Sequence, residues 1–490
     1  MLEEDEKYFN GKRFHRLLQR YEEAMQQRGS LYMEAEELTD IAEYYAMKGR
    51  MDEAGEAIQL ALSLHPDSVD PQVFLARQQM FLGNMAKAYE LADSIPDQED
   101  REVFFLRAEL YLNEEHYIEA KNYLLDLYYT LSQDDEPDFF LYDSAALLYD
   151  YSAWEQTMEL LDILQEKHAP MEKAKRLRIN TLLEMMRYEE AIDEADAFLE
   201  AHPYDVTIWV VKGEAASAME RQEEAREAAD FALAIEPRNP RALVLAGNTC
   251  FHVGLHAEAH EFFETYLKDY PDEGSARFLN SLCLSALGQY AEALEELKRI
   301  DMTSPSVAEM QEGILLHRAM TESQLGNLED ALAWEVNYEA RRNQYDKNVS
   351  MLRGFIFLNC GKKERAMKLL REGLNEVPPL DVAFDAPIQL LEHDMVEEAI
   401  EMLLLMDKLY AKDKERERIA PMLAHCYYQK GDKPAFLRTF LRALQHEPEL
   451  TANVFRINLP HTNDPQELLR SACMQLMDLD NNKPEQTTES

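Results

Sequence analysis

Apolar residues recur along this chain at spacings of three and four, the mark of amphipathic helices, from near its first residue to near its last. Residues 2–28 read as one such helix, with Tyr8, Phe14, Leu17, Leu18 and Tyr21 on a common face and Gly29-Ser30 ending it. From residue 35 the helical patterns come in pairs. The stretch AEELTDIAEYYAMKGRMDEAGEAIQLALSLHP divides at Lys48-Gly49-Arg50, and Pro66 closes its second half.

The pairing is periodic. Pro203, Pro237, Pro271 and Pro305 fall 34 residues apart, and Ala191, Ala225, Ala259 and Ala293 keep the same interval, each 12 residues before its proline. A fixed period of this length means stacked supersecondary units that cannot bury their apolar faces alone. Twelve units start near residues 35, 69, 101, 138, 172, 206, 240, 274, 312, 347, 380 and 417. The frame is looser in places: SQDDEPD (132–138) reads as a surface loop, and an insertion around MTSPSV follows Pro305. Thr157 and Phe436 replace the periodic alanine. Pro387 stands in mid-helix, where it is expected to shorten or kink the helix, and residues 378–425 are expected to bend the array or act as a hinge. The predicted organisation is an N-terminal capping helix (1–34), the array (35–450), and a C-terminal capping helix from Asp464 to about Leu479 with a polar, disordered tail (451–490).

Composition agrees with helix throughout: Gly is 16 of 490 residues, too few for a turn-rich β fold. Net charge is −44, a field that repels phosphate backbones and anionic membranes, so nucleic acid is not expected as a partner. Cys250, Cys283, Cys360, Cys426 and Cys473 are scattered and lack a CxxC pair, which argues for reduced thiols in a cytoplasmic protein. No apolar run is long enough for membrane insertion, and the first residues lack the core of a signal peptide.

The unit Val206–Asn239 resembles a tetratricopeptide repeat (TPR). With Val206 as position 1, it has Trp209 at 4, Gly213 at 8, Ala225 at 20, Ala232 at 27 and Pro237 at 32. Position 20 is Ala in ten of the twelve units, and position 8 is Gly, Ala or Ser in ten. The resemblance spans roughly residues 35–450 and implies an all-α fold, a right-handed superhelical solenoid of paired helices A and B. Small residues at 8 and 20 let the paired helices approach, while larger apolar residues at 4, 11, 24 and 27 fill the space between them.

In the family, helix A lines the concave wall, and positions 2, 5, 9, 12 and 13 form a stripe opposite the packing positions. Over the whole array that stripe carries ten acidic and five basic residues, no denser in charge than the rest of the chain. Its aromatic content is higher: Phe81, Phe105, Phe139, Tyr142 and Tyr149 in the first third, then Phe251, Phe278, Phe355, Phe384 and Tyr428. These side chains fit an apolar channel for a protein or peptide partner. Near the middle lie Lys173, Arg176, Asn180, Arg241 and Asn248, groups suited to a peptide backbone and a carboxylate. Arg176, Asn180 and Arg241 resemble part of the carboxylate clamp of TPR co-chaperones, but Val211 and Leu245 stand where that clamp has Asn and a basic residue.

Catalytic and metal motifs are missing from the sequence. His252, His256 and His260 straddle a predicted interhelical turn and lack a fourth ligand. CGKKERA (360–366) lacks the spacing of a P-loop, and neither GxSxG nor GxGxxG occurs. The expectation is a non-enzymatic scaffold without a cofactor that binds a protein or peptide in its concave groove. The alternative is a regulatory subunit of an enzyme or chaperone complex, or a signal-responsive regulator.

Overall fold

The computed structural model of the 490-residue chain describes residues 8–27, 32–132, 136–167, 171–341, 349–455 and 470–471. The chain divides into two compact units between Pro237 and Arg238. Among the described residues all regular structure is helical.

The first unit begins with a helix over Lys12–Gln27 and continues with six helix pairs. The pairs are Ala35–Met47 with Met51–Leu64, Val69–Phe81 with Met85–Ser94, and Arg101–Asn113 with Tyr117–Tyr128. Then come Pro137–Asp150 with Trp154–Glu166, Glu172–Glu184 with Tyr188–Ala201, and Val206–Ala218 with Gln222–Ile235. The N-terminal helix lies on helix A of repeat 1, where Phe14 meets Tyr44 at 5.1 Å between ring centroids and Tyr45 donates to Glu22 at 3.1 Å. Phe9, Phe14 and Tyr21 are buried there with Leu38, Ile41 and Ala42.

The second unit holds repeats 7–12: Pro240–His252 with His256–Asp269, Gly274–Ala286 with Tyr290–Lys298, and Gln311–Gln324 with Leu328–Arg341. They continue as Val349–Asn359 with Lys363–Asn375, Leu380–Glu392 with Val396–Leu409, and Ile419–Lys430 with Lys433–His446. A short helix, Pro448–Val454, follows, and Phe455 packs on Phe436 and Phe440. The expected C-terminal helix at 464–479 lies, save for residues 470–471, outside the described residues.

One turn recurs in every repeat. Position 15 has positive φ in all twelve, as Gly in seven and as Glu115, Ser152, Met186, Glu220 and Asp394 in the others. In each case the N–H of position 16 donates to the carbonyl of position 11 at 2.8–3.1 Å, as Arg50 does to Tyr45. This is the Schellman closure of a helix, and it satisfies orphan carbonyls with backbone alone. The turn therefore asks little of side chains, except that a Cβ in the left-handed region costs about 1–2 kcal/mol. Met186 is 74% exposed and loses nothing by truncation. Met186→Gly is accordingly expected to stabilise the first unit by about 0.5–1 kcal/mol, net of the greater freedom of glycine when unfolded. A denaturation midpoint that stays put or falls would refute this account of the turn.

Position 20 is fully buried in every repeat, whether it is Ala, Thr157 or Phe436. Thr157 keeps its hydroxyl satisfied by donating to Ala153 O at 3.0 Å. Position 8 is tight as well: a Cβ on Gly247 would lie 2.7 Å from Phe263 Cζ, and one on Gly354 would lie 2.7 Å from Leu370 Cδ2. Phe263 and Leu370 both occupy position 24, so a minimal residue on helix A makes room for a large one on helix B.

The prolines act through the residue before them. His65, His202, Glu236 and Tyr270 all leave the helical region, and each helix B ends one residue earlier. Pro305 departs from the expected series. Helix B of repeat 8 stops at Lys298, and Pro305 instead opens a 3₁₀ turn, Pro305–Val307. Leaving the helix early lets Ile300 and Val307 enter a core with Leu297 and Ile314 beside the bare Cα of Gly274. Pro387 does not shorten its helix, which keeps 13 residues as in the regular repeats. Burial of Ala383, Phe384, Ala386, Pro387 and Leu390 offsets the lost hydrogen bond. Between residues 409 and 419, Asp407 ties the connection to both neighbours through Arg416 at 2.8 Å and Arg442 at 2.9 Å.

Candidate functional site

In the first unit the A helices pack side by side and line one wall. Across repeats 1–4 this wall opens into a groove of about 900 Å³. Its apolar lining includes Phe9, Met47, Met51, Phe74, Phe81 and Phe105. Phe81 is 80% exposed at the last turn of its helix, and Met47 and Met51 are also exposed. Large apolar side chains gathered in a concavity and left to water make this wall the candidate interaction surface.

The same groove is acidic, lined by Glu43, Glu102, Glu109, Asp143 and Asp150 against a single guanidinium, Arg77. Arg77 grips Glu109 with two hydrogen bonds of 2.8 Å and reaches Glu102 at 3.2 Å. Glu109 and the attraction of its neighbours hold the Arg77 guanidinium above its ordinary range against the penalty of burial. Arg101 binds Asp143 at 2.6 Å from outside the lining and lies over the Phe105 and Phe140 rings. Burial raises the Asp143 and Asp150 carboxyls above the usual range, although Arg101 and Lys173 pull Asp143 back.

The residues singled out in sequence fall into three settings. Phe105 lines the groove, Phe139 is 54% exposed on the following A helix, and Tyr142 is half-buried there. Tyr149, also half-buried, packs edge-on against Trp154 of its own repeat at 5.0 Å. The central polar group is split by the division of the chain: Lys173, Arg176 and Asn180 belong to the first unit, Arg241 and Asn248 to the second. Arg176 already holds a carboxylate of this chain. Its Nε donates to Asp205 at 2.5 Å, and Asp205 caps the next helix A by accepting from Ile208 N at 3.2 Å. Asn180 donates to Arg176 O at 2.8 Å, within one helix turn. Lys173 and Arg241 are exposed, and Asn248 is half-buried. Phe251 packs beside Cys250 and Phe263, with His256 at 5.3 Å, and Phe278 packs into the repeat-8 core near His317. Both are half-buried, so they contribute to packing as well as to the wall.

The three histidines do not converge on an ion. His252 ends one helix, His256 begins the next, and His260 Nδ1 lies 2.7 Å from Asn280 Oδ1. Among the described residues no group of three metal-ligating side chains comes together, and no helix is long and apolar enough to cross a membrane.

What the sequence stripe missed is its local charge. Six of its ten acidic positions (Glu36, Glu43, Asp70, Glu102, Glu109 and Asp150) fall in the first four repeats, with Arg77 as their one basic position. Read repeat by repeat rather than over the whole array, the stripe carries that signal.

The tetratricopeptide-repeat family model matches residues 176–240, 212–273 and 253–307. No curated protein matches the chain. Solved structures with similar chains include YrrB, described as a TPR protein with an unusual peptide-binding site, at 20% identity and a TM-score of 0.31, covering 37% of this chain and 91% of that one. A tetratricopeptide repeat protein from Parabacteroides merdae aligns at 17% identity with a TM-score of 0.37, covering 52% and 98%. The Cut9–Hcn1 hetero-tetramer of the APC/C aligns at 16% identity with a TM-score of 0.34, covering 93% and 98%. The family match makes residues 176–307 tetratricopeptide repeats, and among the described residues twelve consecutive helix pairs, each with position 20 fully buried, carry the same repeat architecture to either side of that stretch.

Proposed function

We propose that the protein is a scaffold that binds a partner protein or peptide on the A-helix wall of repeats 1–4. The observation that carries the reading is the groove of about 900 Å³ with Phe81, Met47 and Met51 uncovered in it. Phe105 and Phe139 extend the apolar surface along the wall. Of the central residues Lys173, Arg176, Asn180, Arg241, Asn248, Phe251 and Phe278, Arg176 and Asn180 are engaged within the chain and Phe251 and Phe278 pack against repeat cores, which favours the wall of repeats 1–4 as the site.

Phe81 gives the cleanest test, because its exposure makes it dispensable for folding. A benzoylphenylalanine at position 81 is expected to cross-link the native partner in cell extract, whereas the same group at Tyr204, equally exposed on a loop between repeats, is not. With the partner so identified, Phe81→Ser is expected to weaken binding by about 1–2 kcal/mol, the loss typical of an apolar anchor. Unchanged affinity, or equal cross-linking from both positions, would refute the groove as the site.

A further inference from the structure

The groove also specifies the chemistry of its occupant, an inference that rests on the groove being the binding site. Its five carboxylates face one guanidinium in the lining, and Arg101 supplies a second from outside it. The like charges crowd one another beyond the groove itself. The Asp70 carboxyl is raised first by burial and then by Asp100, Glu102, Glu36 and Asp40, the acids around the starts of neighbouring A helices. Surface carboxylates that face water on an acidic protein need no partner. Carboxylates set into a concavity among uncovered methionine and phenylalanine side chains are partly stripped of water, and their mutual repulsion is less screened there.

We propose that the groove of repeats 1–4 receives a cationic segment of a partner protein, with lysine or arginine side chains alternating with apolar ones. The apolar groups would lie on Phe81 and Met47, and the cations would face Glu43, Glu102, Asp143 and Asp150. Four packed A helices at about 8–10 Å spacing span roughly 24–30 Å. That is the length of about seven to nine extended residues. Neutralising the groove also accounts for the choice of class, because an acidic peptide would add to the repulsion already present.

The probe is a fluorescein-labelled twelve-residue peptide of alternating Lys and Leu, with counterparts in which every Lys is Gln or every Lys is Glu. Anisotropy titrations use the full-length protein. The Lys peptide is expected to bind at least about tenfold more tightly than the Gln peptide, and the Glu peptide not measurably, with the preference shrinking as salt rises. Glu43→Gln/Asp150→Asn removes two groove charges while keeping the hydrogen bonds of Arg77 to Glu109 and Glu102 and of Arg101 to Asp143, and is expected to lower affinity for the Lys peptide several-fold. A control pair on exposed B-helix positions, Glu119→Gln/Asp126→Asn, is expected to leave it unchanged. Equal binding of Lys and Gln peptides overturns the charge assignment, as does an equal loss from the groove pair and the control pair. Phe81→Ser separates the two readings: if it weakens the Gln peptide as much as the Lys peptide while the charge series is flat, the groove stands and its charge specificity falls. If it affects no peptide, the groove itself falls.

Discussion

Replacing Phe263 by alanine is expected to destabilise the second unit by about 3–5 kcal/mol, the range for deleting a buried aromatic ring. The ring is fully buried among Cys250, Ala259 and Cys283, and its tip occupies the place a side chain on Gly247 would take. This gives a second, sharper expectation. In the wild-type chain Gly247→Ala gains about 1 kcal/mol of helix propensity but drives a methyl to 2.7 Å from Phe263, so overpacking of about 1–3 kcal/mol opposes the gain. Once Phe263 is alanine the space is open, and the same substitution is expected to stabilise. A double-mutant cycle by chemical denaturation measures the difference. If Gly247→Ala has the same effect in both backgrounds, the pairing of a minimal residue at position 8 with a large one at 24 is not what holds these helices together.

The second large effect is a dependence on pH. The Glu335 side chain, on helix B of repeat 9, is only 1% exposed, and among the described residues it pairs with Arg353 of the next helix A at 3.1 Å. Arg353 is shared with Glu339 at 3.0 Å, one turn further along. Burial pushes the Glu335 carboxyl up to about 7, with the neighbouring Glu339 adding to the rise and Arg353 opposing it. The unfolded side chain releases its proton near its ordinary value of 4.5, so between there and about pH 7 the folded state binds more protons than the unfolded one. Stability from this group is therefore full below pH 4.5 and is lost as pH rises through 7, to at most about 3 kcal/mol. Glu335→Gln cannot titrate. Relative to that variant, the wild type is expected to lose stability steadily from pH 5 to 8. Trp334 on the same helix reports locally once Trp154 and Trp209 are replaced by Phe. A wild-type-minus-variant difference that is flat in pH would sink the assignment. Arg353→Leu removes the opposing charge, and it is expected to move the loss to higher pH.

Much of this fold is legible in sequence because each repeat restates the same constraint. Gly49, Gly83, Gly326 and Gly361 announce the interhelical turn, and Ala225 and its counterparts announce the close approach of helices. Met186 and Glu220 adopt the left-handed turn without any local preference for it, so only the frame of the repeat predicts their conformation. Pro305 misleads for the opposite reason: it keeps the period, but burial of Ile300 and Val307 is worth more than five further helical residues. The site was less legible. Arg176 looks available on a helix wheel, yet its partner Asp205 lies 29 residues away and meets it only through the stacking of repeats. The acidic groove is likewise a property of four adjoining A helices, and a stripe averaged over twelve repeats dilutes it.

The contacts that stack one repeat on the next are short-range along the chain. Arg101 and Asp143, joined by a hydrogen bond between repeats, stand 42 residues apart, little more than one repeat. Loop-closure entropy is correspondingly small at every step, and a low contact order favours fast folding. A nascent chain would find each segment's partners as soon as one further repeat had left the ribosome, so the groove of repeats 1–4 would be complete while most of the protein was still unmade.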